Sequence, residues 1–153
     1  MLESPETGIQ KINASVYISG QLSDRQFQKV LALGWVSVLC LRCTQEQGFK
    51  TTEKQQAEAS GVNYSHMPMS ADTLTYERIT QTLKEIDRLP KPVLISCRSA
   101  FRAGFIALLY LSTRNRLTLW ETQSLRQRLG FDFSSKPVFQ QRFEQYLMQY
   151  LVG

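Results

Sequence analysis

Residues 93–111 read VLISCRSAFRAGFIALLYL. Val93–Ser96 is short and almost wholly apolar, the pattern of a parallel strand buried on both faces. Phe105–Leu111 is apolar around its whole circumference, as in a helix surrounded by protein. Between them lies SCRSAFRAG, which sets a cysteine and two arginines at a strand-to-helix junction. Ligands of open α/β sheets bind beyond the carboxyl ends of the strands, so this junction is a candidate site before its chemistry is considered.

Working outward, strand and helix signals alternate. Val16–Ile18 is a short strand candidate that ends at Gly20. Ser23 opens SDRQ, a capping box in which Ser23 and Gln26 satisfy each other's backbone N–H groups. Phe27, Val30 and Leu31 form the apolar stripe of that helix, and Gly34 ends it. Trp35–Leu41 (WVSVLCL) reads as a mostly apolar strand. Thr52–Gln55 offers a second capping box, for a helix reaching Ser60. Val62–Met67 is a further strand closed by Pro68, and Tyr76–Leu89 is a helix with Ile79, Leu83 and Ile86 on one face. Two amphipathic helices finish the chain over 116–153. The last carries Phe139, Phe143, Tyr146, Leu147, Tyr150 and Leu151 on one stripe, which reads as core. This alternation predicts a single α/β domain over 1–153, a mostly parallel sheet of about four strands flanked by helices.

Of the 153 residues, 18 Lys and Arg stand against 13 Asp and Glu, a formal net charge of +5 that suits an anionic substrate. No long basic run occurs, so neither nucleic acid nor a membrane surface is an expected partner. Phe105–Leu111 is far short of the ~20 apolar residues that span a bilayer. The opening MLESPETGIQ is polar and carries two glutamates, unlike a secretory or transit leader. Three cysteines are an odd number for a disulfide framework. The expectation is a cytoplasmic protein with reduced thiols and no metal or other cofactor.

A loop that enters a helix presents unpaired N–H groups and the positive end of the helix dipole. A ring of such groups is an anion cradle. Cys97 at its start is favoured as the thiolate, which is itself an anion. Arg102 offers a planar fork for two oxygens of a bound oxyanion. Nucleophile and clamp together serve transfer of a phosphoryl group or of a sulfur atom. Arg98, Ser99, Ala100 and Phe101 then form the substrate-binding rim, with Ser99 placed either to donate to the thiolate or to hold the loop, and Arg98 pointing to solvent. The structural alternative is a buried cysteine without chemistry.

Phosphoryl transfer also calls for a general acid. Asp72, in the loop MSADTLT, is the best-placed carboxylate; its competing role is the N-cap of the helix near Tyr76. Arg42, at the end of Trp35–Leu41, either contacts substrate or braces the loop. Cys40 and Cys43 form a CxxC without the second pair zinc would want, and either is a candidate disulfide partner for Cys97. His66 reads as structural.

Three pieces, in order and at similar spacing, resemble the phosphatase-like domain family of beta-lactamase-hydrolase-like proteins, within the cysteine-phosphatase superfamily. They are INASVYISGQLSDRQFQKVLALGWVSVLCLR at 12–42, GVNYSHMPM at 61–69 and VLISCRSAFRAG at 93–104, the last similar to the family's HCRSGTRS. The resemblance spans roughly 11–115. It implies a small cysteine-phosphatase-type fold, with Cys97 as nucleophile and Arg102 as oxyanion clamp. Three positions depart from the pattern: Ser96 replaces a His, Ala100 a loop Gly, and Ala103 a Ser or Thr that often follows the arginine. If position 100 needs φ > 0, alanine there costs about 1 kcal/mol. The Cys-x4-Arg loop is one residue shorter than that of typical tyrosine phosphatases and looks as much like the rhodanese loop. Three functions stay open: a hydrolase of phosphorylated substrates using a Cys97 thiolate, a rhodanese-type sulfurtransferase with a Cys97 persulfide, and a non-catalytic module binding an oxyanion or a partner.

Overall fold

The computed structural model describes residues 8–152, and most of the polar, leader-unlike opening MLESPETGIQ lies outside them. Strands β1 (Ile9–Lys11), β2 (Val16–Ser19), β3 (Ser37–Cys40), β4 (Asn63–His66) and β5 (Val93–Ser96) form one sheet in the order β1-β2-β5-β3-β4. The last four of these in spatial order run parallel, and β1 lies antiparallel on β2. Helices α1 (Asp24–Ala32), α2 (Glu53–Ala59), α3 (Tyr76–Arg88), α4 (Phe101–Arg114), α5 (Leu119–Leu129) and α6 (Pro137–Val152) flank it, with a 3-10 turn at Ala71–Thr73. The α/β expectation holds. The sheet gains a strand because β1 is three residues of mixed polarity, too short to show an alternation.

The pleat decides which side chain meets which layer. Val16, Ile18, Leu39, Val93, Ile95 and Cys97 face α3, α4 and α6 in the larger core. Tyr17, Val38 and Leu94 face Phe27, Val30 and Leu31 of α1 and Ala57 of α2. Cys97 stands two residues past Ile95 and inherits its face. α4 is buried continuously from Ala103 to Leu109, as its all-round apolar sequence requires. Phe105 meets the rings of Phe133, Phe139 and Phe143 at centroid distances of 5.7, 5.3 and 5.9 Å, which ties the C-terminal segments onto it.

Local signals fare unevenly. Ser23 and Gln26 form the reciprocal capping box. Thr52 does not: its backbone is already helical (φ −91°, ψ −9°), so its hydroxyl is not aimed at the first-turn N–H groups. Thr75, not Asp72, caps α3, accepting from Arg78 N–H. On α6 the apolar stripe is buried through Leu147, whereas Tyr150 and Leu151 are 39% and 52% exposed, contrary to the core reading. Tyr150 donates to the carbonyl of Thr113 at the end of α4, so α6 outlasts the helix it packs on.

Gly20 leaves β2 so close to the loop after β5 that a Cβ there would lie 2.9 Å from the Arg98 carbonyl oxygen. Gly20→Ala is expected to push that loop aside and lower stability by about 1–3 kcal/mol, as overpacking does; urea unfolding reads the loss.

Candidate active site

Only Cys97–Ala100 separate β5 from α4, and the surrounding backbone fixes their path. Cys97 N–H donates to the Ser19 carbonyl (3.2 Å), Gln21 N–H to the Arg98 carbonyl (2.9 Å) and Gly104 N–H to the Ala100 carbonyl (2.9 Å). Ala100 is the N-cap of α4 at φ 70°, ψ −3°, the left-handed region. The position does require φ > 0, and this chain tolerates a Cβ there. Because Ala100 has no side-chain acceptor, the first-turn N–H groups of α4 remain directed into the loop.

Cys97 is 1% exposed, and its Sγ accepts from Ala103 N–H at 3.4 Å. A backbone donor therefore reaches the sulfur at the position where a Ser or Thr would add a hydroxyl. Ser99 and Arg98 are exposed on the rim, and Ala100 and Phe101 are half-buried. Ser96 pairs in register with Cys40 and turns its side chain toward that residue, away from the Cys97 face. The missing histidine thus alters the opposite side of the strand.

Arg102 does not stand alone. Its Nη1 donates to Glu46 Oε2 (2.6 Å) and to the Met69 carbonyl (2.9 Å), and its Nη2 donates to Glu46 Oε1 (2.9 Å). Glu46 takes the end-on pair of the guanidinium, which leaves the side-on edge, Nε–H with the second Nη2–H, as a two-pronged donor. Arg102's bonds hold the Glu46 carboxyl down at about 2, assisted by Cys43 N–H and Arg42 and opposed by burial. Nothing in the stretch TQEQG marked Glu46 beforehand. The available clue was chemical: a half-buried arginine facing a thiol wants a counter-ion.

Arg42 is 2% exposed, and its guanidinium contacts Glu46 Oε1 (3.2 Å), Gln21 Oε1 (2.6 Å), the Gln47 carbonyl (2.7 Å) and the Gly48 carbonyl (3.1 Å). These bonds put it in the bracing position. The CxxC is split across the sheet. Cys40 lies against Tyr64 and Glu53 on the α2 side, while Cys43 donates to the Met69 carbonyl (3.8 Å) on the side of Arg102. Of the two, only Cys43 shares Cys97's side; all three thiols are free and buried. His66 bonds the Arg42 carbonyl and lies tilted against the Phe49 ring at 5.4 Å, a structural part. Asp72 is exposed in the 3-10 turn, three residues after the Met69 whose carbonyl accepts from Arg102.

The C-terminal region contributes what the motif reading missed. Phe131 and Phe133 join Ser99, Ala100 and Phe101 around a cleft of about 340 Å³ beside the loop. Phe131 lies flush on α4, where a Cβ at Gly104 would meet its ring at 3.1 Å. The glycine–aromatic run GFDF at 130–133 was the visible signal, but pattern alone does not bring it to Cys97.

Residues 9–112 match the family model described as the beta-lactamase hydrolase-like protein, phosphatase-like domain. A beta-lactamase hydrolase-like protein of Agrobacterium fabrum (strain C58) is 27% identical over 125 residues, 80% of this chain but only 29% of that protein's length. A DUF442 protein of Shewanella putrefaciens CN-32 superposes with a TM-score of 0.78 at 20% identity, covering 98% of both chains. P. aeruginosa TpbA, solved in complex with pTyr, superposes at 0.73 with 14% identity, covering 100% of this chain and 96% of its own. The core catalytic domain of the S. cerevisiae PP-IP phosphatase SIW14, in complex with citrate, gives 0.70 at 19% identity, with 91% and 85% covered. These likenesses show the small cysteine-phosphatase fold.

Ala100→Gly removes about 1–2 kcal/mol of left-handed penalty and returns about 0.4–1 kcal/mol through a freer unfolded chain. A net gain of about 0–1.6 kcal/mol is expected in urea unfolding. The depressed Glu46 carboxyl contributes stability that is complete above pH 4.5 and lost as pH falls toward about 2. Glu46→Gln is expected to flatten that part of the acid limb when unfolding midpoints are measured against pH.

Proposed function

Because this chain belongs to the phosphatase-like domain family of beta-lactamase hydrolase-like proteins, we propose that it hydrolyses a phosphorylated substrate through a phosphocysteine at Cys97. One observation carries the reading. Cys97 Sγ sits at the N-terminus of α4, accepting from Ala103 N–H, while the Glu46 pair leaves the side-on edge of Arg102 to an oxyanion.

A phosphoryl group in the loop sets its oxygens against the backbone N–H groups of 98–102 and the Arg102 fork. The Cys97 thiolate attacks phosphorus, and the bond to the leaving oxygen breaks. Asp72 gives its proton to that oxygen. Water then attacks the phosphocysteine, its proton passes to Asp72, and the S–P electron pair returns to sulfur. The Phe101–Phe131–Phe133 cleft receives the organic part of the substrate. A structural neighbour binds pTyr, so an aryl phosphate is the first substrate to try. We place the protein in the cytoplasm, where free thiols stay reduced. Among the described residues no helix is long and apolar enough to cross a membrane.

The test pairs p-nitrophenyl phosphate turnover with a thiosulfate–cyanide assay, each run with Cys97→Ser. Phosphatase turnover is expected in the wild type and absent from Cys97→Ser, and Asp72→Asn is expected to lower kcat by about 10²-fold. Phosphatase turnover that survives Cys97→Ser would sink the reading. Thiocyanate production without ester hydrolysis assigns the cysteine to sulfur transfer. Phosphate binding without either activity assigns a binding module.

A further inference from the structure

A line of side chains runs inward from Arg102, and its far members have no place in the chemistry above. Arg102 is held by Glu46, and Glu46 Oε1 accepts from Arg42 Nε at 3.2 Å. Arg42 Nη1 donates to Gln21 Oε1 at 2.6 Å, and Gln21 Nε2 donates to Glu53 Oε2 at 2.7 Å. Glu53 opens α2, is 7% exposed, and accepts from Tyr64 O–H through its other oxygen at 3.4 Å. Gln21 also reaches the loop directly, its backbone N–H donating to the Arg98 carbonyl at 2.9 Å.

The chemistry of this chain is selective. A guanidinium donates only, and an ionised carboxylate accepts only. The residue between Arg42 and Glu53 must therefore accept at one end and donate at the other, which an amide does and a carboxylate or an apolar side chain does not. Two arginines and two glutamates balance in charge along the line, so a neutral linker keeps the buried set neutral. Gln21 couples this set to the loop backbone through one residue.

We propose that Gln21, oriented by Glu53, is a positioning residue for the oxyanion clamp. Its amide aims Arg42, Arg42 and Arg102 together fix Glu46, and Glu46 turns the side-on edge of Arg102 toward the bound oxyanion. The proposal rests on the reading of Cys97–Arg102 as an oxyanion site and adds what holds that site in register.

The test exchanges donor and acceptor. Gln21→Glu keeps the acceptor for Arg42 but sets a second carboxylate against Glu53. The pair shares one proton at low pH and repels once both are ionised. The charged and titratable groups facing this pair are Arg42, Glu46 and Lys50 from the segment between β3 and α2, Cys40 from β3 and Tyr64 from β4. For wild type and variants, kcat and KM on p-nitrophenyl phosphate, the Kd of inorganic phosphate and thermal unfolding are measured across pH. The ratio of Gln21→Glu to wild-type activity is expected to fall as pH rises. The double variant Gln21→Glu/Glu53→Gln restores one donor and one acceptor at unchanged charge and is expected within about threefold of wild type. Gln21→Met is expected to lose about tenfold in kcat and in phosphate affinity, through misplacement of the clamp.

A ratio flat with pH, or a double variant no better than Gln21→Glu, overturns the proposal. Should Gln21→Met fail to fold, the pH ratio and the swap decide. A wild type that binds phosphate but does not turn over the ester sinks the hydrolase reading alone, and the variants are then scored on phosphate affinity. Wild-type turnover with variants unchanged sinks this proposal alone. Phosphate binding absent from the wild type overturns it as well, since no clamp then exists to position.

Discussion

β5 is hydrogen-bonded on both edges, to β2 and β3, and buried on both faces, so its backbone has no lateral freedom when it leaves the sheet. It must turn at once into α4, itself buried along most of its length. Cys97, the first residue past the strand, is thereby delivered to a helix N-terminus that has no side-chain cap and whose Ala103 N–H donates to its sulfur. The site follows from that confinement. The neighbouring elements only complete it: β2 through Gly20 and Gln21, β3 through Leu41 and Arg42, and the chain after β4 through Met69.

Confinement brings charge with it. Arg102 is set half-buried beside a thiol, and a cation so placed needs a counter-ion. Glu46 meets this by gripping one edge of the guanidinium only. Glu46 comes from a loop, and a loop of exposed residues holds a carboxylate poorly unless something rigid anchors it. Arg42, sealed beneath the loop and bonded to the Gln47 and Gly48 carbonyls, is that anchor.

Three altered positions at the strand-to-helix junction act at different places. Ser96 changes the far face of β5, near Cys40. Ala103 withholds a hydroxyl, yet its backbone N–H already reaches Sγ. Ala100 alone bears on the shape of the cradle, since it holds a left-handed φ that glycine would take freely. The loop therefore keeps its path with these positions changed, because that path is imposed by neighbouring backbone.

Much of this was legible in residue order. The apolar run before Cys97 and the apolar helix after it specify a buried strand feeding a buried helix, since no other arrangement removes both from water. Ser23–Gln26 specified its cap by local chemistry alone. Thr52 and Asp72 offered similar local chemistry and were not used as caps, because the backbone at Thr52 and the hydroxyl of Thr75 pre-empted them. Strand β1 was too short to announce itself. Glu46, Gln21 and Glu53 carry no local signature, and the GFDF run that holds Phe131 does not say what it packs on; each matters through a partner distant in sequence, and distance in sequence says nothing about contact in space. What the sequence determined by itself was therefore the place of Cys97 at a strand-to-helix junction, its loop and the layer order, all consequences of hydrophobic pattern and chain continuity. Tertiary structure alone decided which charges meet Arg102 and which rings line the cleft, because hydrogen bonds and ring contacts depend on ångström distances that only packing creates.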